Sequence, residues 1–250
     1  MRFFSLLIFG LTTFSSLAQM PYFIELGDSL VRLESENYTS KNEVLFINIH
    51  ENEVTSVNAL RAFNVDEKYP FVWLNHNATR RVFFNCDTLV FSVDPNRIFS
   101  HEGIAATLAY DSISNRKAEK MAKSLAREIL KYVHRAEWVI SLHNNTPDNY
   151  SILSYLPGGD ESANTKDIYI NDSMDADDFI YTTDLSLFNQ LKVQQINVIL
   201  QDNEHCVNDG SLSVYCGMKA IPYANVEAED GHLEEQTRLI RIIVDIIEGP

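Results

Sequence analysis

The run EVLFINI (43–49) is apolar at consecutive positions rather than at alternate ones. A strand wetted on one face alternates apolar and polar residues, so a continuously apolar strand must be covered on both faces. Several further runs share this character. The candidate strands are PFVWLNH (70–76), RRVFFN (80–85), TLVFSVD (88–94), EWVISLH (137–143), DIYIND (167–172), INVILQ (196–201) and PYANVEAE (222–229). RRVFFNCDTLVFSVD reads as a hairpin turning near Asn85–Asp87. Two helical patterns lie among the strands. RKAEKMAKSLAREILKYVHRA (116–136) sets Ala118, Met121, Ala122, Leu125, Ile129, Tyr132 and Val133 on one stripe. LEEQTRLIRIIVDIIEGP (233–250) carries Glu early and Gly-Pro at its end, as helix ends favour. Covered strands alternating with amphipathic helices predict an α/β fold: a mixed, mostly parallel central sheet with helices on both faces. The segment 144–190, richer in Asn, Asp, Ser and Thr, is expected to run as long loops over one sheet edge.

At 250 residues the chain is long enough for one such domain. MRFFSLLIFGLTTFSSLAQ has one Arg, a short apolar run from Phe3 to Phe14 and small residues before Gln19. That is a secretory signal pattern, and the run is too short for a comfortable membrane span. We therefore expect residues 1–19 to be a signal peptide and 20–250 a single domain, periplasmic or secreted, with no membrane span in the mature chain. The formal net charge of −15 argues against a nucleic-acid partner, which needs basic surface. Nothing in the sequence points to a protein partner. In an oxidising compartment Cys206 and Cys216 could close a loop around VNDGSLSVY, leaving Cys86 a buried thiol; three unpaired thiols is the alternative. There is no CxxC pair to suggest a thiolate zinc site.

In open α/β sheets function gathers at the carboxyl ends of strands. Strand 43–49 ends at His50, strand 137–142 at His143, strand 88–93 at Asp94-Pro95-Asn96-Arg97, and strand 222–226 at Glu227. Each has an ordinary reading: His50 as a strand cap, Glu53 as a helix-terminus charge, DPNR as a turn. Together they outline a metal site. A catalytic zinc takes three protein ligands and keeps one position for water. HENE supplies His50 and Glu53 and SLHNN supplies His143, a His₂Glu set. Zinc lowers the pKa of its water, and a carboxylate can then carry the proton to a leaving nitrogen. Glu227 is the expected carboxylate, with Glu229 and Asp230 as alternatives. The acidic run NDSMDADD (171–178) matches no EF-hand spacing and reads as a solvated loop.

HENE, DPNRIF, SLHNN and VEAED, in that order over residues 44–230, resemble the zinc carboxypeptidases and their shorter relatives, the succinylglutamate desuccinylases and aspartoacylases. The resemblance implies one zinc per chain on His50, Glu53 and His143, with Glu227 as general base and acid. It implies that Asn96 and Arg97 grip a substrate carboxylate, a task that suits a guanidinium fork. An arginine that polarises the scissile carbonyl would be Arg80 or Arg81, and we expect Arg80. A tyrosine closing over substrate has Tyr155 and Tyr215 as candidates. The expected activity is hydrolysis of an amide bond next to a free carboxylate, by a metallocarboxypeptidase acting on peptides or peptidoglycan stem peptides. An N-acyl amino acid deacylase is the second reading. A non-catalytic carboxylate- or peptide-binding protein on the same fold is the third.

Overall fold

A computed structural model of the chain describes residues 22–39, 41–109, 115–147 and 150–249; the expected signal peptide lies outside the described residues. The elements run β1 (Tyr22–Leu26), β2 (Ser29–Glu36), β3 (Asn42–Asn48), α1 (Val54–Phe63), β4 (Phe71–Asn75), β5 (Val82–Cys86) and β6 (Leu89–Val93). They continue with α2 (His101–Ala109), α3 (Arg116–Val133), β7 (Ala136–Asn145), β8 (Thr165–Tyr169), β9 (Phe179–Thr182), α4 (Leu185–Val193), β10 (Val198–Gln201), α5 (Leu212–Lys219), β11 (Tyr223–Glu229) and α6 (Leu233–Glu248). Nine strands form one sheet in the order β1-β2-β4-β3-β7-β11-β9-β10-β8. The four central strands β4, β3, β7 and β11 are parallel to one another. Antiparallel pairs close both edges, β1 with β2 and β10 with β8. The expected mixed, mostly parallel sheet with helices on both faces is what the chain forms.

Strand alternation sorts the apolar residues into two cores. In β3, Leu45 and Ile47 join the core under α2, α3 and α5, whereas Val44 and Phe46 join the core under α1, α4 and α6. This is why EVLFINI is apolar throughout: both of its faces are covered. In α3 the buried face is Ala118, Ala122, Leu125, Ala126, Ile129 and Val133. Its first turn is capped by the Asn115 side chain, which accepts from the backbone N–H of Lys117 and Ala118.

Several expectations needed correction. Strand 88–94 does not belong to the central sheet: β5 and β6 form the expected hairpin, but as a separate two-stranded ribbon. Segment 144–190 is not all loop, since it holds β8 and β9 and two short 3₁₀ turns. Strands β1 and β2 were not anticipated, because both are exposed at alternate positions and β2 carries charge. The three cysteines are free thiols, so Cys206 and Cys216 are not bridged. Cys216 is buried in the core on α5, while Cys206 lies half-buried on a loop. Among the described residues no helix is long and apolar enough to cross a membrane.

Phe46 is fully buried and packs edge-on against Phe63 and Tyr69, with ring centroids 6.1 and 5.9 Å away. Phe46→Ala should therefore cost about 3–5 kcal/mol of stability by cavity formation. Urea unfolding of both proteins measures this, and a loss below about 1 kcal/mol would show that the core there closes over the gap.

Candidate active site

His50 follows β3 directly, and Glu53 stands at the start of α1 after a tight turn in which the Glu53 N–H donates to the His50 carbonyl (3.1 Å). Hydrogen bonds fix that turn from below. Asn48 Nδ2 donates to Ser56 Oγ (2.9 Å) and to the Leu142 carbonyl (3.2 Å), and Ser56 Oγ donates to the Glu53 carbonyl (2.7 Å). On the neighbouring strand, the His143 carbonyl accepts from Gln236 Nε2 of α6 (2.8 Å). Asn144 beside it binds the Ser56 N–H through its Oδ1 (2.8 Å). The two strand ends are thus tied to each other and to the helices behind them.

The three side chains converge. His50 Nδ1 lies 2.9 Å from Glu53 Oε1, His143 Nδ1 lies 2.8 Å from Glu53 Oε2, and the two ring nitrogens are 3.1 Å apart. All three groups are buried. Their ligand atoms could hold one metal ion between them. The other ring nitrogen of His50, Nε2, meets Asp94 Oδ1 at 2.8 Å. With the proton held there by the carboxylate, a neutral His50 ring presents Nδ1 to the centre as a lone pair. Sequence reading had given Asp94 only a turn role. It fills that role too, accepting from the Asn96 N–H (2.8 Å).

Arg80 and Arg81 part ways. Arg80 Nη1 donates to Glu53 Oε1 (2.7 Å) and its Nε stands 3.4 Å from Asp94 Oδ2. Arg81 turns to Ser92 and to the Thr107 carbonyl. Arg80 is therefore the one at the site. Glu227 is buried on β11 in register with His143 on β7, and Asn225 Nδ2 donates to its Oε1 (2.9 Å). Burial pushes its carboxyl above the usual glutamate value, with Glu53 adding to the effect against the opposing pull of His143, Asn225 and Arg80. Burial acts the same way on Glu53, but His50 and His143 outweigh it and hold that carboxyl well below the usual range.

Arg97 and Asn96 follow β6 on a 3₁₀ turn. Asn96 Oδ1 accepts from the Leu212 N–H (2.9 Å), and the Phe99 N–H donates to the Gly210 carbonyl (2.9 Å). Gly103 and Gly210 allow this close approach. A Cβ on Gly103 would lie 2.5 Å from the Arg97 carbonyl, and one on Gly210, at φ +80°, 2.6 Å from it. A cavity of about 440 Å³ collects Glu53, Arg80, Asn96, Arg97, His143 and Glu227 on its wall, together with Tyr150 and Tyr155. Tyr215 is elsewhere, bonded to His134 (2.8 Å). Tyr150 was missed in the sequence, since no motif surrounds it. Glu229 and Asp230, the alternatives to Glu227, do not line the cavity.

No protein-family profile matches the chain. No curated protein matches it. Solved structures do. Carboxypeptidase A from Helicoverpa armigera shares 12% identity at a TM-score of 0.47, over 91% of this chain and 68% of that one. A protein provisionally assigned as a metallopeptidase, from Shewanella baltica, shares 12% identity at 0.47, over 91% and 85%. One provisionally assigned as a succinylglutamate desuccinylase/aspartoacylase, from Shewanella frigidimarina, shares 11% at 0.43, over 91% and 70%.

The raised Glu227 carboxyl has a consequence for the metal-free protein. Because the folded state holds this proton more tightly than the unfolded chain, the group favours folding below the ordinary value of 4.5. That contribution is lost as pH rises from 4.5 through the folded value. Denaturant unfolding across pH 4 to 8 should show a downward slope in stability that is smaller in Glu227→Gln. Identical slopes in the two proteins would contradict the assignment.

Proposed function

We propose that this chain is a secreted zinc-dependent hydrolase, with residues 20–250 as its single catalytic domain, that cleaves an amide bond next to a free carboxylate. Peptides and peptidoglycan stem peptides are the substrates we favour. Secretion rests on the N-terminal segment alone. The observation that carries the activity is that Glu53 and His143, which converge with His50 behind them, share one cavity wall with Glu227 and Arg97.

The donor set suits zinc. Two imidazole Nδ1 atoms and a carboxylate crowd to within 2.8–3.1 Å of each other. With both rings neutral and their Nδ1 lone pairs turned inward, the two histidines and the carboxylate would offer a cation three donor atoms. Two nitrogens each about 2.0–2.1 Å from one tetrahedral zinc lie about 3.3 Å apart, close to the spacing seen. Asp94 supplies the hydrogen bond to the rear of His50 that orients a metal-binding ring. When bound, such an ion polarises a carbonyl and lowers the pKa of a water.

The rest is done by side chains. Glu227, with its carboxyl raised above the usual glutamate value, takes the proton of the attacking water and gives it to the leaving nitrogen. Arg80, half exposed beside Glu53, directs N–H groups at the carbonyl oxygen as charge develops there. Arg97 and Asn96 hold the terminal carboxylate and so fix which bond lies under Glu227. Arg97 is ready for this. Burial pulls its pKa down, but Asp209 and Asp94 outweigh that and keep it charged.

Two measurements test the reading. Plasma mass spectrometry should find about one zinc per chain in the purified protein and almost none in His50→Ala or His143→Ala, the loss expected when one of three ligands goes. Glu227→Gln should retain the zinc and lose at least about 100-fold in kcat, the usual scale for a general base. Undiminished zinc in both histidine variants would refute the ligand set, and a near-native rate in Glu227→Gln would move the base elsewhere. Separately, Arg97→Ala should raise KM for substrates with a free terminal carboxylate and leave amidated ones nearly unaffected. An equal loss on both would remove Arg97 from that role.

A further inference from the structure

HENE contains two glutamates, and the one not yet placed holds backbone. The Oε2 atom of Glu51 accepts three consecutive N–H groups, from His76 (2.7 Å), Asn77 (2.8 Å) and Ala78 (2.7 Å). Successive N–H groups that converge on one anion form a nest, and hydrogen bonds to a charged acceptor are stronger than neutral ones. Ala78 takes φ +55° within it. That conformation is unfavourable for a residue with a Cβ, so a contact from outside the segment must hold it.

The nest belongs to the bend 76–81, which leads from β4 to β5. Among the described residues, no loop or turn hydrogen bond between backbone groups involves 76–80. Thr79 bonds only within the bend, its Oγ1 donating to Asn77 Oδ1 (2.8 Å) and to the Arg81 carbonyl (2.7 Å). Glu51 is therefore what ties this stretch of backbone to the turn after β3. Arg80 stands two residues past the nest. Its side chain is 48% exposed, with Nη1 on Glu53 Oε1 (2.7 Å) and Nε 3.4 Å from Asp94 Oδ2. A long, rotamer-rich side chain can keep such contacts from more than one backbone position. Aiming it at a third group, a substrate carbonyl, requires the backbone to be fixed as well. The two glutamates divide that work: Glu53 takes the guanidinium, and Glu51 takes the backbone that delivers it.

Building on the hydrolase reading, we propose that Glu51 is a positioning residue for Arg80, setting where its N–H groups meet the scissile carbonyl. The carbonyl oxygen gains charge only in the transition state, so a loss of aim falls on kcat rather than on KM. A glutamate that only staples a loop would lower stability and leave the contribution of Arg80 unchanged.

The test is a double-mutant cycle on the zinc-supplied protein, with an N-acyl dipeptide as substrate and Glu51→Ala, Arg80→Ala and their combination as variants. Glu51→Ala should lower kcat about tenfold and leave KM within about twofold of wild type. Glu51→Gln keeps an acceptor oxygen at the same reach and should restore most of the rate. In the Arg80→Ala background the effect of Glu51→Ala should shrink to less than about twofold. A loss that persists without Arg80, or that appears in KM, overturns the proposal and leaves the hydrolase reading intact. A native kcat in Glu51→Ala overturns it too. A second readout does not need turnover: the Arg80 Nε–H resonance in nitrogen-15 spectra, identified by its absence from Arg80→Ala, should shift in Glu51→Ala and return in Glu51→Gln. If no peptide is cut but the resonance responds in this way, the hydrolase reading falls and the positioning stands. An unmoved resonance overturns the positioning. Where Glu51→Ala does not fold, Glu51→Asp takes its place with the same expectations, since its carboxylate is one methylene short of the nest.

Discussion

The carboxylate of Glu53 is the point on which the site is built. It is 3% exposed, and a buried charge without partners is worth several kcal/mol of destabilisation. The chain meets that demand from three separate segments. His50 comes from just past the end of β3, His143 and the Asn144 N–H from β7, and Arg80 from the bend before β5. Each partner is itself held from behind: His50 by Asp94, His143 by Gln236 on its carbonyl, and Arg80 by Asp94 again. Glu53 therefore closes a loop of contacts joining β3, β7 and the β5–β6 ribbon. An apolar replacement would remove a charge and leave two rings and a guanidinium facing one another.

The ribbon explains how a sequence can place an arginine and an aspartate on one carboxylate and one imidazole. Val82 pairs with Val93 at its open end. Just outside that pair lie Arg81 and Asp94, and Arg80 is one residue further out, with its Nε 3.4 Å from Asp94 Oδ2. Arg80 and Arg81 lie in the bend before β5, where their side chains turn apart. One guanidinium enters the site, and the other caps the Ser92 and Thr107 carbonyls. Detaching the ribbon from the main sheet is what allows its open end to reach over the strand ends.

The parts legible in the sequence were those with a local signature. Continuous apolar runs marked the covered strands, and a 3.6-residue stripe marked α3. His50 and Glu53 were legible because they stand just past β3, and His143 because it lies near the end of β7, each strand being recognisable by itself. Glu227 and Arg97 were legible by the same logic and by the DPNR order. What escaped has no local signature. The alternating β1 and β2 look like ordinary surface sequence, and FIYT of β9 is four residues inside a polar stretch. Pairing is non-local, so the ribbon's separation from the sheet was not readable. Asp94 was read as a turn former, and it is one; its contact with His50 spans 44 positions and leaves no trace in either neighbourhood. Tyr150, Tyr155, Glu161 and Asp209 come together through the packing of segments 150–164 and 202–211 around one cavity.

On the proposed reading, Arg97 is how an acidic chain would bind a carboxylate. The net charge of −15 repels anions at long range, but that field is screened beyond about 10 Å in ordinary salt. Inside the cavity the outcome depends on what Arg97 already holds. Its pairing with Asp209 is loose, 3.5 Å through Nε, and its Nη1 donates to the neutral Asn96 carbonyl at 2.9 Å. Neither contact is the two-pronged carboxylate grip of which a guanidinium is capable. An incoming carboxylate can take that geometry without expelling Asp209, which is turned toward the Ser211 N–H by a 2.8 Å hydrogen bond. Asp209 then keeps Arg97 charged and oriented while leaving its best hydrogen bonds unspent. The glycines at 103 and 210 maintain this arrangement, since any side chain there would push the 209–212 loop away from the turn that carries Arg97.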